Sequence, residues 1–371
     1  MRINRLSVTI LATITVLFPI LVNGQTGARP DNRTIEGTTY TRPVPTSKPV
    51  FLRDTLEVQL QTKETYWKVP NQNYYTSWVP RASFQLFYDG SAKLRYTAEW
   101  FNPDGSPWFT EALNHNQGSD TAQISSEYSD ELMNTKASVA TGTFSLKITN
   151  SKTNEVVFQG KFKVQKMLAF PGQAQYRNRA EFFVDNDWNL AIGYVGFTAD
   201  GGWSNPPPVV FMWFKGRLEA KDFEARLLHN GQEVASTDDN GIVNVYQYRG
   251  ENCMKFADTC RLQQFGFYWK KFIVENSNWV RRQKPDSIFT RDKAGEYTVK
   301  VFHKGIQVRE ARFIIDDAGK IGRNAFSDQM PLKDHKIVVP VRVMGNLDKW
   351  NAAAWKTDAF YGNPLAGFGV Q

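Results

Sequence analysis

Gly142-Thr143-Phe144-Ser145-Leu146-Lys147-Ile148 runs on through Val156-Val157-Phe158 to Gly160-Lys161-Phe162-Lys163-Val164. Phe144, Leu146 and Ile148 alternate with polar neighbours, and so do Phe162 and Val164. A period of two puts one set of side chains on one face of a strand, so this stretch reads as a β-hairpin with one buried face. It occurs twice. Gly295-Glu296-Tyr297-Thr298-Val299-Lys300-Val301 runs on through Gly305 to Arg312-Phe313-Ile314-Ile315. Gly142 and Gly295 lie 153 positions apart, and the same offset relates Phe144 to Tyr297, Leu146 to Val299 and Ile148 to Val301. The reading is an all-β chain with two related domains.

A weaker match precedes each copy. Leu94 to Trp100 alternates and ends at Asn102-Pro103-Asp104-Gly105; Phe223 to Leu227 alternates and ends at His229-Asn230-Gly231. From turn glycine to hairpin glycine is 37 residues in the first copy and 64 in the second. The surplus of 27 residues is expected to be an insertion around 245–290, extending a loop of the second domain. Loops carry a domain's particular role more often than its scaffold does.

The expected organisation follows in chain order. Residues 1–24 have a basic start at Arg2 and Arg5, an apolar run from Leu6 to Val22, and a cut ahead of Gln25, the pattern of a signal peptide. Residues 25–53, rich in Pro and Thr, form a flexible leader. A first β-sandwich domain spans 54–168, with 114–137 a loop or short helix. A Pro171-Gly172 link leads to a second domain at 174–317. The C-terminal segment, 318–371, packs on it with a short helix and the strand Ile337 to Val343, where Pro340 argues for a sheet edge. The mature chain is expected to be exported to the periplasm, cell surface or medium, without a membrane span.

Only two cysteines occur, Cys253 and Cys260, and an oxidising compartment favours a disulfide between them. The four histidines are scattered and show no metal-ligand spacing, so no metal and no cofactor is expected. Asp185-Asn186-Asp187-Trp188-Asn189 has alternate oxygen ligands, but lacks the glycine and distal glutamate of a calcium loop and reads as a turn. Glu99, Asp104 and Glu111 read as strand-face and turn residues.

The formal charge is +8, and residues 261–293 hold eight Lys or Arg against three acidic residues. Aromatic residues are 14% of the chain. Both excesses meet at Tyr268, Trp269, Lys270 and Lys271, and again at Trp279, Arg281 and Arg282. Rings beside cations suit a sugar ligand with acidic groups. The same pattern also suits buried rings with Lys and Arg reaching past them to water. Nucleic acid fits neither export nor the modest total charge.

The repeated motif, carried by Gly142, Phe144, Leu146, Ile148, Phe162 and Val164 and again by Gly295, Tyr297, Val299, Val301, Phe313 and Ile315, resembles the final hairpin of bacterial secreted immunoglobulin-like and carbohydrate-binding β-sandwich modules. That resemblance implies two tandem antiparallel immunoglobulin-like sandwiches. It fits a non-catalytic binding or structural protein of the cell envelope, whose partner is a polysaccharide or an envelope protein. Two other expectations stand beside it: a carbohydrate-active enzyme with carboxylates between the domains, and an accessory subunit of an envelope assembly.

Overall fold

A computed structural model describes residues 46–65, 75–91, 93–118, 121–168, 180–197, 208–249, 261–273, 288–322, 324, 337–345 and 347. Residues 1–24, read as a signal peptide, lie outside the described residues, as do Cys253, Cys260, Trp279, Arg281, Arg282 and most of 318–371. The fold is all-β and almost wholly antiparallel.

The first sheet holds β1 (Val50–Thr65), β2 (Tyr75–Phe87), β3 (Tyr96–Phe101), β4 (Pro107–Gln117), β5 (Thr121–Ser125), β6 (Gly142–Asn150), β7 (Glu155–Leu168) and β8 (Ala180–Val184), in the spatial order 1-2-5-4-3-6-7-8. A short helix α1 (Asp130–Thr135) follows β5, with Ser129 as its cap. The sheet becomes a sandwich because β4 serves both faces. Its first half pairs with β3, Tyr96 opposite Leu113, and its second half with β5, Asn114 opposite Ser125. Inward side chains alternate: Tyr96, Ala98 and Trp100 on β3, and Phe144, Leu146 and Ile148 on β6, all essentially buried.

The second sheet holds β9 (Ile192–Phe197), β10 (Pro208–Lys215), β11 (Phe223–His229), β12 (Gln232–Ser236), β13 (Gly241–Arg249), β14 (Leu262–Trp269), β17 (Gly295–His303), β18 (Ile306–Ile315) and β19 (Ile337–Val343), in the order 12-11-17-18-19-9-10-14-13. Between β14 and β17, β15 (Phe272–Ile273) and β16 (Ile288–Phe289) form a small parallel pair. Here β19 turns the corner. Ile337 to Pro340 pair with β9, and Val341 to Val343 with β18. The edge expected from Pro340 is therefore corrected. The strand is interior to the sheet, and its proline, which has no N–H to give, sits exposed where the chain leaves one face for the other.

The two hairpins match pair for pair. Phe144 faces Phe162 as Tyr297 faces Phe313, and the register slips just after Ile148 and just after Val301. The facing rings stack in both, with centroids 5.6 Å and 5.4 Å apart. Gly142 and Gly295 share the positive φ that makes glycine the fitting start, 138° and 134°.

Three expectations about organisation differ from the structure. β1 begins at Val50, inside the stretch read as leader. Ala180–Val184, placed in the second domain, pairs with β7 and completes the first sheet; a Pro-Gly step marks a turn within a sheet as readily as a link between domains. The surplus is not a loop, because it includes β14, which lies between β10 and β13.

All described residues belong to one compact unit. One apolar cluster runs from the interior of the first sheet, through Val184 and Trp188, to Tyr194, Val209 and Phe211 on the second. A second cluster fills the second sandwich, with Val210, Met212, Phe214, Phe265, Phe267 and Trp269 facing Phe223, Leu227, Tyr297 and Val299. The face formed by β9, β10 and β14 is thus apolar on both sides.

Candidate functional site

The residues named from sequence separate along β14. Trp269 is wholly buried, and its Nε1 donates to the Ala225 carbonyl at 2.9 Å. It is a core residue and presents nothing to a ligand. Alternation explains this: Phe265, Phe267 and Trp269 point into the second sandwich, so Gly266 and Tyr268 point out of it. Tyr268 is half-buried and packs at the margin of the cluster shared by the two sheets. Lys270 is exposed and Lys271 half-buried in the turn that follows.

Beside Tyr268 stands a residue that sequence reading passed over. In the β13–β14 pair, Val245 faces Phe265 and Gln247 faces Gln264, so Tyr246 is the extra residue of a β-bulge. A bulge re-aims the side chain of its extra residue. The Tyr246 ring packs against Gly266, so close that a Cβ on Gly266 would fall 2.4 Å from Tyr246 Cε2 and 3.1 Å from Phe211 Cε1. It meets Phe211 edge to face, with centroids 5.0 Å apart and planes at 86°. Tyr194, Phe211 and Gly266 are successive partners across three strands, and the row ends at Asn244, two residues before Tyr246 on β13. It is 41% exposed, a ring packed on one side and open to water on the other.

The neighbouring phenol responds to this setting. Burial pushes the Tyr268 hydroxyl above its ordinary pKa, and the nearby Tyr246 adds to the rise. The Tyr268 hydroxyl stays protonated at neutral pH and can donate as well as accept. Two tyrosines, one of them packed against Gly266 and Phe211, offer stacking surface and hydroxyl contacts at low conformational cost.

The place expected for carboxylates between the sheets is also occupied. After β8 the chain turns at Asp187–Ala191 and enters β9. Asp185 accepts from Gln165 of the first sheet and lies 3.8 Å from Lys163 Nζ. Asp187 receives Lys215 of the second sheet on both oxygens, at 2.8 and 2.9 Å. Burial raises the Asp187 pKa, and Lys215 pulls it back. Each carboxylate is thus tied to one sheet, and the pair clasps the two together. Among the described residues no group of three His, Cys, Asp or Glu is placed to hold a metal ion, and no helix is long and apolar enough to cross a membrane.

No protein-family profile and no curated protein sequence matches this chain.

Proposed function

We propose that this is an exported, non-catalytic carbohydrate-binding protein of the cell envelope, whose aromatic shelf is made by Tyr246 and Tyr268. The observation that carries the reading is the bulge, which packs an exposed ring against a glycine. An exposed tyrosine is ordinary by itself. One that stands at a bulge, packed against a glycine and held at 86° to Phe211, is a stacking surface ready before any ligand arrives. The apolar face of a pyranose suits it, and the two hydroxyls suit the sugar's oxygens. The geometry of Asp187 supports binding over hydrolysis at the junction, since Lys215 occupies both of its oxygens. The exposed Lys270 adds a donor at the rim.

Retention of the purified chain on insoluble envelope polysaccharide tests the reading. Tyr246→Ala and Tyr268→Ala are expected to lower retention about tenfold or more each, in line with roughly 1–3 kcal/mol for an aromatic stacking contact. Wild-type retention in both variants would remove the shelf from binding. Capture of an envelope protein that survives both changes would favour the accessory-subunit reading instead.

A further inference from the structure

The shelf has a second row, on β13. Val243 and Val245 pack on the cluster inside the second sandwich. Alternation therefore turns Ile242 and Asn244 to the opposite side, the side that carries Gly266 and Tyr268. The pairing places them: Ile242 faces Tyr268, and Asn244 faces Gly266. Facing residues of an antiparallel pair have Cβ positions about 5 Å apart.

Phe211, Gly266 and Asn244 follow one another across β10, β14 and β13. The Tyr246 ring packs against the first two of these. Asn244 itself is exposed, so it stands beside the ring and is not covered by it. Among the described residues no hydrogen bond engages its side-chain amide. Ile242 is half-buried opposite Tyr268 and has no polar side-chain atom, so on this row the amide alone can read a ligand's polar groups.

We infer that Asn244 is the specificity-determining residue of the shelf, and that the polysaccharide it selects carries two free hydroxyls on adjacent ring carbons. This rests on the shelf reading. A pyranose stacked on Tyr246 presents its hydroxyls around its rim, where a side chain beside the ring meets them. The amide donates an N–H to one hydroxyl and accepts the O–H of the next, and its nitrogen and oxygen lie close enough together to serve two neighbours at once. A sugar with an isolated hydroxyl uses only half of the amide. One with an acetamido group at the second carbon replaces the small hydroxyl by a bulkier group. A site that hydrogen-bonds a hydroxyl discriminates against the analogue that lacks it.

Isothermal titration of the full mature chain tests this. Cellohexaose, mannohexaose and maltohexaose keep an adjacent pair of hydroxyls free on every internal sugar. Chitohexaose and laminarihexaose do not, and chitohexaose shares the linkage of cellohexaose. At least one of the first three is expected to bind about tenfold more tightly than either of the last two, as two hydrogen bonds allow. Asn244→Ala should remove that preference and leave the weaker hexamers unchanged. Asn244→Asp, which keeps the shape but loses the N–H donors, should do the same, and an unchanged melting temperature verifies that both variants fold. Tyr246→Ala should weaken every hexamer that binds. Equal affinity for all five, with Tyr246→Ala weakening them all, would overturn the inference and leave the shelf standing. So would a preference that survives both Asn244 variants. Binding indifferent to Tyr246→Ala would remove the shelf, and the inference with it.

Discussion

Glu111 shows how little of a residue's role lies in its own stretch of sequence. Its neighbours alternate, which marks a strand but not which face turns inward. Register decides that: Glu111 lies opposite Ala98, whose side chain is wholly buried, so the carboxylate follows it inward to Trp100 and Ser126. Burial is the largest influence on its pKa and raises it above the ordinary 4.5; the bonds from Ser126 and Trp100 and the charge of Arg81 only partly offset this. The sign follows from linkage. A carboxyl with a raised folded pKa favours the fold below its unfolded pKa, and that contribution is lost as pH rises through the folded value. Glutamine does not titrate. In urea unfolding between about pH 4 and pH 8, the stability of Glu111→Gln relative to wild type is expected to rise with pH. A difference that stays flat with pH would mean burial does not govern this carboxyl.

At the scale of the element, the hairpins were legible and β14 was not. Each hairpin has one face on a core and one toward solvent, so alternation appears in the sequence. β14 is buried along almost its whole length and lies between two apolar clusters, so the pattern vanishes and the strand resembles an aromatic loop. β5 was missed for the opposite reason: it is short, and its neighbours at the end of β4 are exposed and polar. The bulge at Tyr246 leaves no direct sign, because two residues facing one is a property of the pairing. Its one trace is Gly266, a bare backbone amid aromatic residues, which signals a close approach. Gly266→Ala tests the approach. The added methyl would collide with Tyr246 and Phe211, and overpacking of this kind costs about 1–3 kcal/mol. The urea midpoint should fall, and polysaccharide retention should drop to the level of Tyr246→Ala. Full retention by a stable Gly266→Ala chain would show that the ring's seat does not matter.

For the whole molecule, the repeat suggested two domains joined by a link, and the structure joins them more closely than a link would. The apolar cluster common to both sheets, and the Asp185 and Asp187 clasp beside it, leave little to separate. Nothing in the sequence marks this, because Val184, Trp188 and Tyr194 meet the first core only once the chain has turned at Asp187–Ala191. Unfolding followed by tryptophan fluorescence and by far-ultraviolet circular dichroism is therefore expected to give one coincident transition. Trp188→Ala, which empties part of the shared cluster, should shift both signals together by about 3–5 kcal/mol. Two resolved transitions in the wild type would mean that the halves are energetically independent.

The corner strands give the two halves different histories during synthesis. The first sheet has all its strands once Val184 has emerged, and its corner strand β4 arrived long before. The second cannot close until Ile337 to Val343 appear, because only β19 joins β18 to β9. For the interval between Ile315 and Ile337 the nascent chain holds one finished sandwich and one that gapes, with Val195, Val210 and Phe313 short of their cover. That interval is when the chain is most exposed to misassociation, and a chaperone has most to gain by holding it there.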